Sequence, residues 1–568
     1  MLLLLLIISV IINLTLPLQA DAKIKAPITS SLRFEETLPK VNSIAVHDYR
    51  INLINLNPYI NRWFVLEFVG KKRYRIHLDN RDTNNHVFLS QTGIVLQKID
   101  NPTVSTNCHL WKSKKEHLLT IRFNEFKNPY FPVCNGLIYL RLKRSSKTKL
   151  SLTEWTTEIL RTTDFGEDII NSVKPMLVSL KAESAEQELI EKEIAPSKAA
   201  MNHGPLAAKT HLQSNELPLV SSEHNLGFTR KLSESPFYYG HWYQTNMHKG
   251  IFTGLFIPNL IPDDIKKSYP KKVFPIIEDE KDKLIYLTAY DLSEFTLRYA
   301  VGTTEPPINT NKGSYGRVAS LRRSLVPIGS IPPYHLSNAV GVFVGGFKNR
   351  HSMILYGPHK GKKYGYIEKG VELAPMSPGL ATLSIDKRGH VKIDRWPSKL
   401  TDRIEARKEI VSARQNGVML IHNDEPGPLV NSWHHGNWSA DAKGVRQSLR
   451  SGVCLQEHQG KTYLIFMAFT SVTPSTMVKV MQSFSCRYGM HLDMNAHMYL
   501  HNAIYEINTD KSFKVEYLNK EMLYPPGLKR HRFILDNNSR DFFYIMRKEN
   551  DKSETFAKSE ESEEEKTE

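Results

Sequence analysis

Between Thr473 and His501 the hydrophobic period of the chain changes, and the change predicts a helix followed by a strand. Met477, Met481, Phe484 and Tyr488 recur at spacings of four, three and four, which gives one apolar helix face. Thr473 reads as the N-cap, Pro474 as the first helical residue and Gly489 as the stop. After Gly489 the period is two. Leu492, Met494, Ala496, Met498 and Leu500 fall on one side, and His491, Asp493, Asn495, His497 and His501 on the other, with Tyr499 between the last two. Such a strand is either one wall of a site or simply a half-exposed strand with a polar outer face.

Elsewhere the pattern is also strand-like. Tyr74-Arg75-Ile76-His77-Leu78 and Leu140-Arg141-Leu142-Lys143 alternate, and Asn80-Arg81-Asp82 and Asn135-Gly136 punctuate such runs. Residues 41–150 are therefore expected to form an antiparallel β-sandwich that serves as a binding module. Its face with Arg73, Arg75 and His77 reads either as an anion-binding surface or as plain solvated polarity. Residues 151–235 read as a linker, partly helical after the capping signal Ser151-Leu152-Thr153-Glu154 and polar thereafter. Residues 237–548 mix strands such as Leu284–Thr288 and Ala381–Ile385 with the helix after Pro474. The expected fold class is an α+β catalytic-like domain preceded by the β-sandwich.

Charge divides the chain. The 568 residues carry a formal net charge of +16. Asp551 to Glu568 holds eight acids against three bases and reads as a disordered tail, which leaves about +21 on the remainder. That surplus favours anionic partners, an acidic glycan or phosphosugar conjugate or a cell-envelope surface, although Lys-rich composition alone is the competing explanation. No helix-turn-helix, zinc-finger or RNA-binding signature points to nucleic acid.

Leu2 to Ile12 is an unbroken apolar run, and Ala20-Asp21-Ala22 supplies small residues for cleavage. No Lys or Arg precedes the run, but it is short for a membrane span. The expectation is a signal peptide over 1–22 and a secreted or periplasmic protein, with an N-terminal anchor as the lesser option. Four cysteines fit an oxidising compartment: Cys108 and Cys134 in the first domain, Cys454 and Cys486 in the last. Two disulfides within domains are one reading; other pairings and buried free thiols stay open.

Four segments between about 240 and 510 resemble, in order, the phosphodiester glycosidase family. They are Asp291-Leu292-Ser293 through Val301-Gly302-Thr303-Thr304-Glu305-Pro306, and Val342 to Lys348 followed by Gly365 to Gly370 and Ala381-Thr382. Leu449-Arg450-Ser451-Gly452-Val453 is the third, and the helix, glycine and strand ending in Leu492-Asp493 the fourth. The resemblance implies a hydrolase acting on a sugar-1-phosphate diester. Two departures stand out: Val344 replaces the Asn before the paired glycines, and Met494, Asn495 and Ala496 replace the glycines after the aspartate. Losing a glycine pair alters how closely backbone can approach a ligand.

Splitting a glycosyl phosphodiester needs a fixed cation for phosphate and a carboxylate for the anomeric centre. The resemblance casts Arg450 as phosphate anchor and Asp493 as general base or charge stabiliser, with His491 and Asn495 beside it on the same strand face. Gly345 and Gly346 shape a turn whose amides can face an anion, and Lys348 and His351 add positive potential. Trp433 and Trp438 flank His434 and His435 in a loop suited to stacking on sugar rings, or to packing. No second carboxylate is identified; Asp441 and Glu506 are only near in sequence. No cofactor is expected. A metal set of His491, Asp493 and His497 with His434 and His435 is the rival chemistry. An extended strand separates His491 from His497 by roughly 20 Å, which keeps both out of one coordination shell.

Two function classes follow. One is an exported hydrolase of glycosyl phosphodiesters. The other is a non-catalytic glycan- or envelope-binding protein on the same scaffold, favoured by Val344 and the missing glycines.

Overall fold

A computed structural model describes residues 40–111, 129–142, 204–213, 216–220, 225–230, 237–308, 321–349, 352, 360–431, 447–507, 512–522, 531–534 and 536–548. The expected signal segment, most of the 151–235 linker, the acidic tail, His351, Asp441 and the loop with Trp433, His434, His435 and Trp438 lie outside these residues.

The helix begins where its sequence signals put it. Pro474–Ser483 is helical, and the hydroxyl of Thr473 accepts a hydrogen bond from the Thr476 amide at 3.3 Å. Glu280 reinforces that end, because the Thr473 amide and the Thr476 hydroxyl both donate to its carboxylate. The helix stops at Ser483, not at Gly489, which belongs to the next strand. Its inner face rests on two glycines. A Cβ on Gly452 would lie 2.9 Å from the Met481 methyl, and one on Gly489 would lie 2.8 Å from the Met481 sulfur. Helix and sheet meet closely there, and a side chain at either glycine would push the flexible end of Met481 aside.

That sheet has eight strands in the order Tyr243–Gln244, Ile251–Phe256, Ile285–Asp291, Lys461–Val472, Ser448–His458, Tyr488–Met494, Met419–His422 and Glu425–Pro426. Ser448–His458 and Lys461–Val472 form a hairpin closed by Gln459 (φ 49°) and Gly460 (φ 73°), a two-residue turn of the kind that matches strand twist. A second sheet orders Phe295–Ala300, Phe542–Arg547, Ala339–Val344, Asn502–Ile507 and Phe513–Tyr517. A third orders Val371–Ala374, Tyr366–Glu368, Ile410–Gln415, Ala381–Asp386 and Val391–Arg395. All ladders between these strands are antiparallel.

The α+β expectation is thus overturned. The part that follows residue 237 is mostly antiparallel β-sheet, and its fully described α-helices are Asp263–Lys267, Leu400–Glu409 and Pro474–Ser483. The physical reason is burial on both faces. Strands such as Leu464–Phe469 and Phe542–Ile545 are sealed on either side and read as continuous apolar runs, which periodicity does not assign to helix or strand.

The strand after Gly489 also departs from its pattern. It spans Tyr488–Met494, and His491 through Met494 are all buried, so neither face meets solvent. Asn495 then adopts φ 82° and the chain turns through a short 3-10 segment, His497–Tyr499. The apparent alternation beyond Met494 is a turn, and His497 and His501 leave the strand.

At the N-terminal end a six-stranded and a three-stranded antiparallel sheet share one core that includes Leu53, Phe64, Leu66, Ile94 and Leu96. These sheets are packed on the rest. Ile54, Leu56, Trp63 and Val65 belong to the principal core. The Asn57 side chain donates to the Gly370 carbonyl at 2.8 Å, and the Tyr334 hydroxyl donates to Asp79 at 2.9 Å. Disulfides join Cys108 to Cys134 and Cys454 to Cys486.

Candidate functional site

Strand ends from all three sheets of the larger part converge on a cluster of buried charge. The second sheet supplies Gly345 and Gly346, just past Ala339–Val344, and Arg540 and Asp541, just before Phe542–Arg547. The third supplies Arg414 and the following Asn416, and the eight-stranded sheet supplies Asp493.

Two ion pairs form the centre. Arg540 Nη2 donates to Asp493 Oδ2 and, at 2.9 Å, to the Gly346 carbonyl. Arg414 Nε donates to Asp541 Oδ2 at 2.7 Å, and its other nitrogens donate to the carbonyls of Phe347 and Gln415, each at 2.7 Å. The Tyr299 hydroxyl also donates to Asp541, at 3.0 Å. Asn416 ties the cluster to the sheet below: its amide donates to the carbonyls of His491 and Leu492, and its oxygen accepts from the Phe347 amide. The glycines are required by crowding. A Cβ on Gly345 would lie 2.2 Å from Asp541 Oδ2. Lys348 and Arg540 both stand over the Tyr499 ring, at 5.7 and 5.0 Å from its centroid.

Burial dominates the electrostatics. It pushes the Asp493 carboxyl up, the Arg540 guanidinium and the Met494 amide pull it back, and the balance lies at about 6. Asp541 adds to the upward push. Burial also works against the charge of Arg540, but Asp493 and Asp541 outweigh it and hold the guanidinium more firmly protonated than usual. A carboxyl that titrates near neutrality is equipped to exchange a proton at working pH.

The sequence-derived residues do not all come together. Asp493, Gly345, Gly346 and Lys348 come together here, Lys348 half-buried at the rim. Arg450 and His491 form a neighbouring group. Arg450 is fully buried, its Nε donates to the Val472 carbonyl at 2.8 Å, and its Nη1 approaches His491 Nε2 at 3.3 Å and Met494 Sδ at 3.5 Å. Burial, then Arg450, hold His491 well below the ordinary histidine range and therefore neutral. The cation that meets Asp493 is thus Arg540, not Arg450. Asn495 is turned to Ser448, whose hydroxyl donates to it at 2.7 Å.

The other imidazoles disperse, His497 to Glu521 and His501 to the Met522 carbonyl. Among the described residues no group of three or more His, Cys, Asp or Glu is placed to hold a metal ion. Glu506 is exposed on its strand, and the carboxylate nearest to Asp493 in effect is Asp541. Arg414, Arg540 and Asp541 are not among the residues that the sequence motifs pick out. The available signal was Ser539-Arg540-Asp541 set directly against the apolar run Phe542–Met546, where buried charge needs a partner.

Fold and bonding together define a mostly antiparallel β protein whose two disulfides fit an extracellular or periplasmic compartment. No helix of the described residues is long and apolar enough to cross a membrane. No family model and no curated protein matches the chain. Among solved structures, it is similar to the catalytic domain of zebrafish N-acetylglucosamine-1-phosphodiester alpha-N-acetylglucosaminidase, auto-inhibited by its pro-peptide. That likeness has 11% identity and a TM-score of 0.30, over 62% of this chain and 100% of that one. An exported protein of Burkholderia pseudomallei is similar at 10% identity and a TM-score of 0.20, over 47% of this chain and 74% of that one. Both likenesses are weak.

Proposed function

We propose that the protein is an exported hydrolase of glycosyl phosphodiesters, with Asp493 as base or charge stabiliser and an anionic glycan or phosphosugar conjugate as its partner. The observation that carries this reading is Asp493 itself, a buried carboxyl balanced at about 6 between desolvation and the Arg540 guanidinium. In such a reaction water adds to the anomeric carbon while the bond from that carbon to the phosphate oxygen breaks. A phosphate monoester anion leaves readily, so the leaving group needs a cation more than an acid. Arg540 and Lys348 are suited to that part, and one ionised carboxylate is enough to support oxocarbenium charge or to take the proton of water.

A non-catalytic glycan- or envelope-binding protein is the second reading. One observation favours it: Asp493 is 5% and Arg540 4% exposed, and each already satisfies the other. Measuring sugar release from a panel of glycosyl-1-phosphodiesters, parent against Asp493→Asn, separates the two. If both are equally inert while still retaining glycan, the hydrolase reading is lost.

A further inference from the structure

A cavity of about 530 Å³ lies where the N-terminal sheets meet the second and third sheets. Asn61 and Arg62 line it from one side, and Arg298, Tyr299, His335 and Lys369 from the other. Its described lining contains cations and no Asp or Glu. Arg62 is answered by Asp79, 3.3 Å away. Behind the wall, Glu368 is engaged by Arg141 at 3.8 Å. The side chains of Arg298 and Lys369 make no hydrogen bond or ion pair among the described residues, although Lys369 is only 6% exposed.

Lys369 is expensive in a second way. With φ 51° it sits beside Gly370 (φ 78°) in a two-residue hairpin turn joining Tyr366–Glu368 to Val371–Ala374, a position that suits Asn, Asp or Gly. A purely structural turn gains nothing from a buried ammonium there. Burial and then Arg62 press its pKa down to about 7, against the pull of Asp79 and Glu368, so the carboxylates behind the wall answer this cation only in part. The turn is held in place by contact across the cavity edge, since Asn57 binds the Gly370 carbonyl and a Cβ on Gly370 would lie 2.4 Å from Ile60. The site is thus assembled by both parts of the chain.

We propose that this cavity binds a phosphate monoester on a small, sugar-sized body, held by Arg298 and Lys369. Arg298 and Lys369, in a lining without Asp or Glu, match a phosphate monoester, whose dianion also favours the protonated lysine more than a singly charged carboxylate ligand does. The volume is in the range of small-molecule sites and exceeds what a bare phosphate ion fills. Tyr299 lines the cavity and also reaches Asp541, but Asp493 is not in the lining, and the proposal does not depend on the hydrolase reading.

The test is calorimetric titration of the full-length protein with glucose 6-phosphate, inorganic phosphate and glucose. Glucose 6-phosphate is expected to bind saturably, inorganic phosphate at least tenfold more weakly, and glucose not at all. Arg298→Gln and Lys369→Gln are each expected to weaken glucose 6-phosphate binding at least tenfold, and Asp493→Asn to leave it unchanged. No saturable binding of either phosphate overturns the proposal, as does parent-like binding by both cavity variants or loss of binding in Asp493→Asn alone. Amine labelling of Lys369 in the parent protein avoids any folding defect of the variants. Glucose 6-phosphate should protect it severalfold where glucose does not, and equal labelling in both overturns the site.

Discussion

Asp493 and Arg540 are 47 residues apart in the chain and meet side chain to side chain between two sheets. The guanidinium also holds the Gly346 carbonyl, so one cation fixes both the carboxylate and the glycine turn facing it. Attraction to Arg540 only partly offsets the burial of Asp493, which is why the carboxyl rests at about 6 and not lower.

Activity should follow that titration. If Asp493 acts in its ionised form, kcat/KM for sugar release rises with pH to a plateau above about 6. Asp493→Asn should lower the plateau by about 10²- to 10⁴-fold, the usual contribution of such a group, and remove the rise. A parent profile flat from pH 5 to 8 counts against the assignment.

Stability should move the opposite way. The folded state holds the Asp493 proton up to about pH 6, whereas the unfolded chain releases it near 4. Between those values the native state binds more protons, so stability falls as pH rises through the window and then levels off. The fall attributable to this carboxyl is on the order of 2–3 kcal/mol. Urea unfolding at pH 4 and pH 7 should show it in the parent and not in Asp493→Asn.

What was legible in the sequence follows the range of each interaction. The cap at Thr473 and Pro474 depends on neighbours a few residues away, and the helix starts there. Asp493 is marked by the polar face of a short strand and by the family resemblance, and it lies in the charged cluster. Its partner is not so marked, because nothing local links residue 493 to residue 540. Arg450 has the right chemistry on the adjacent strand, but it faces Met494 across the ladder and its guanidinium turns to Val472 and His491. The alternation from Leu492 to Leu500 misled for a different reason. A period of two marks a strand only while the backbone stays extended, and Asn495 at φ 82° ends it.

Removing the cation should cost more than removing the acid. Arg540→Met leaves Asp493 buried without a counter-charge, which is expected to destabilise the protein by about 3–5 kcal/mol at pH 7. The loss should shrink at pH 5, where Asp493 in the folded parent is already largely protonated. Equal losses at both pH values in chemical denaturation would show that the pair contributes packing and not charge.

The two disulfides should differ in accessibility. Cys454 and Cys486 are 0% and 1% exposed, under the helix that packs on Gly452 and Gly489. Cys108 is buried but Cys134 is partly exposed. Dithiothreitol added to native protein should therefore open Cys108–Cys134 first, as read by thiol trapping and mass spectrometry. Loss of Cys454–Cys486, which spans 32 residues, should lower stability by roughly 3–4 kcal/mol.

Gly345 and Gly346 offer the sharpest comparison, because they are adjacent and press on different partners. A methyl at residue 345 would lie 2.2 Å from Asp541 Oδ2 and 2.6 Å from its Cγ. That carboxylate is held by Arg414 and Tyr299 and has little room to retreat. A methyl at residue 346 would meet Asn416 Oδ1 at 2.9 Å and the Arg414 guanidinium at 3.0 Å, a much smaller overlap although both side chains are hydrogen-bonded in place. Gly345→Ala is therefore expected to cost at least 3 kcal/mol, roughly the upper end for overpacking, and Gly346→Ala about 1–2 kcal/mol. The order is what the geometry dictates. Should denaturant midpoints show Gly346→Ala to be the more damaging, Asp541 has more freedom than its two ligating side chains allow.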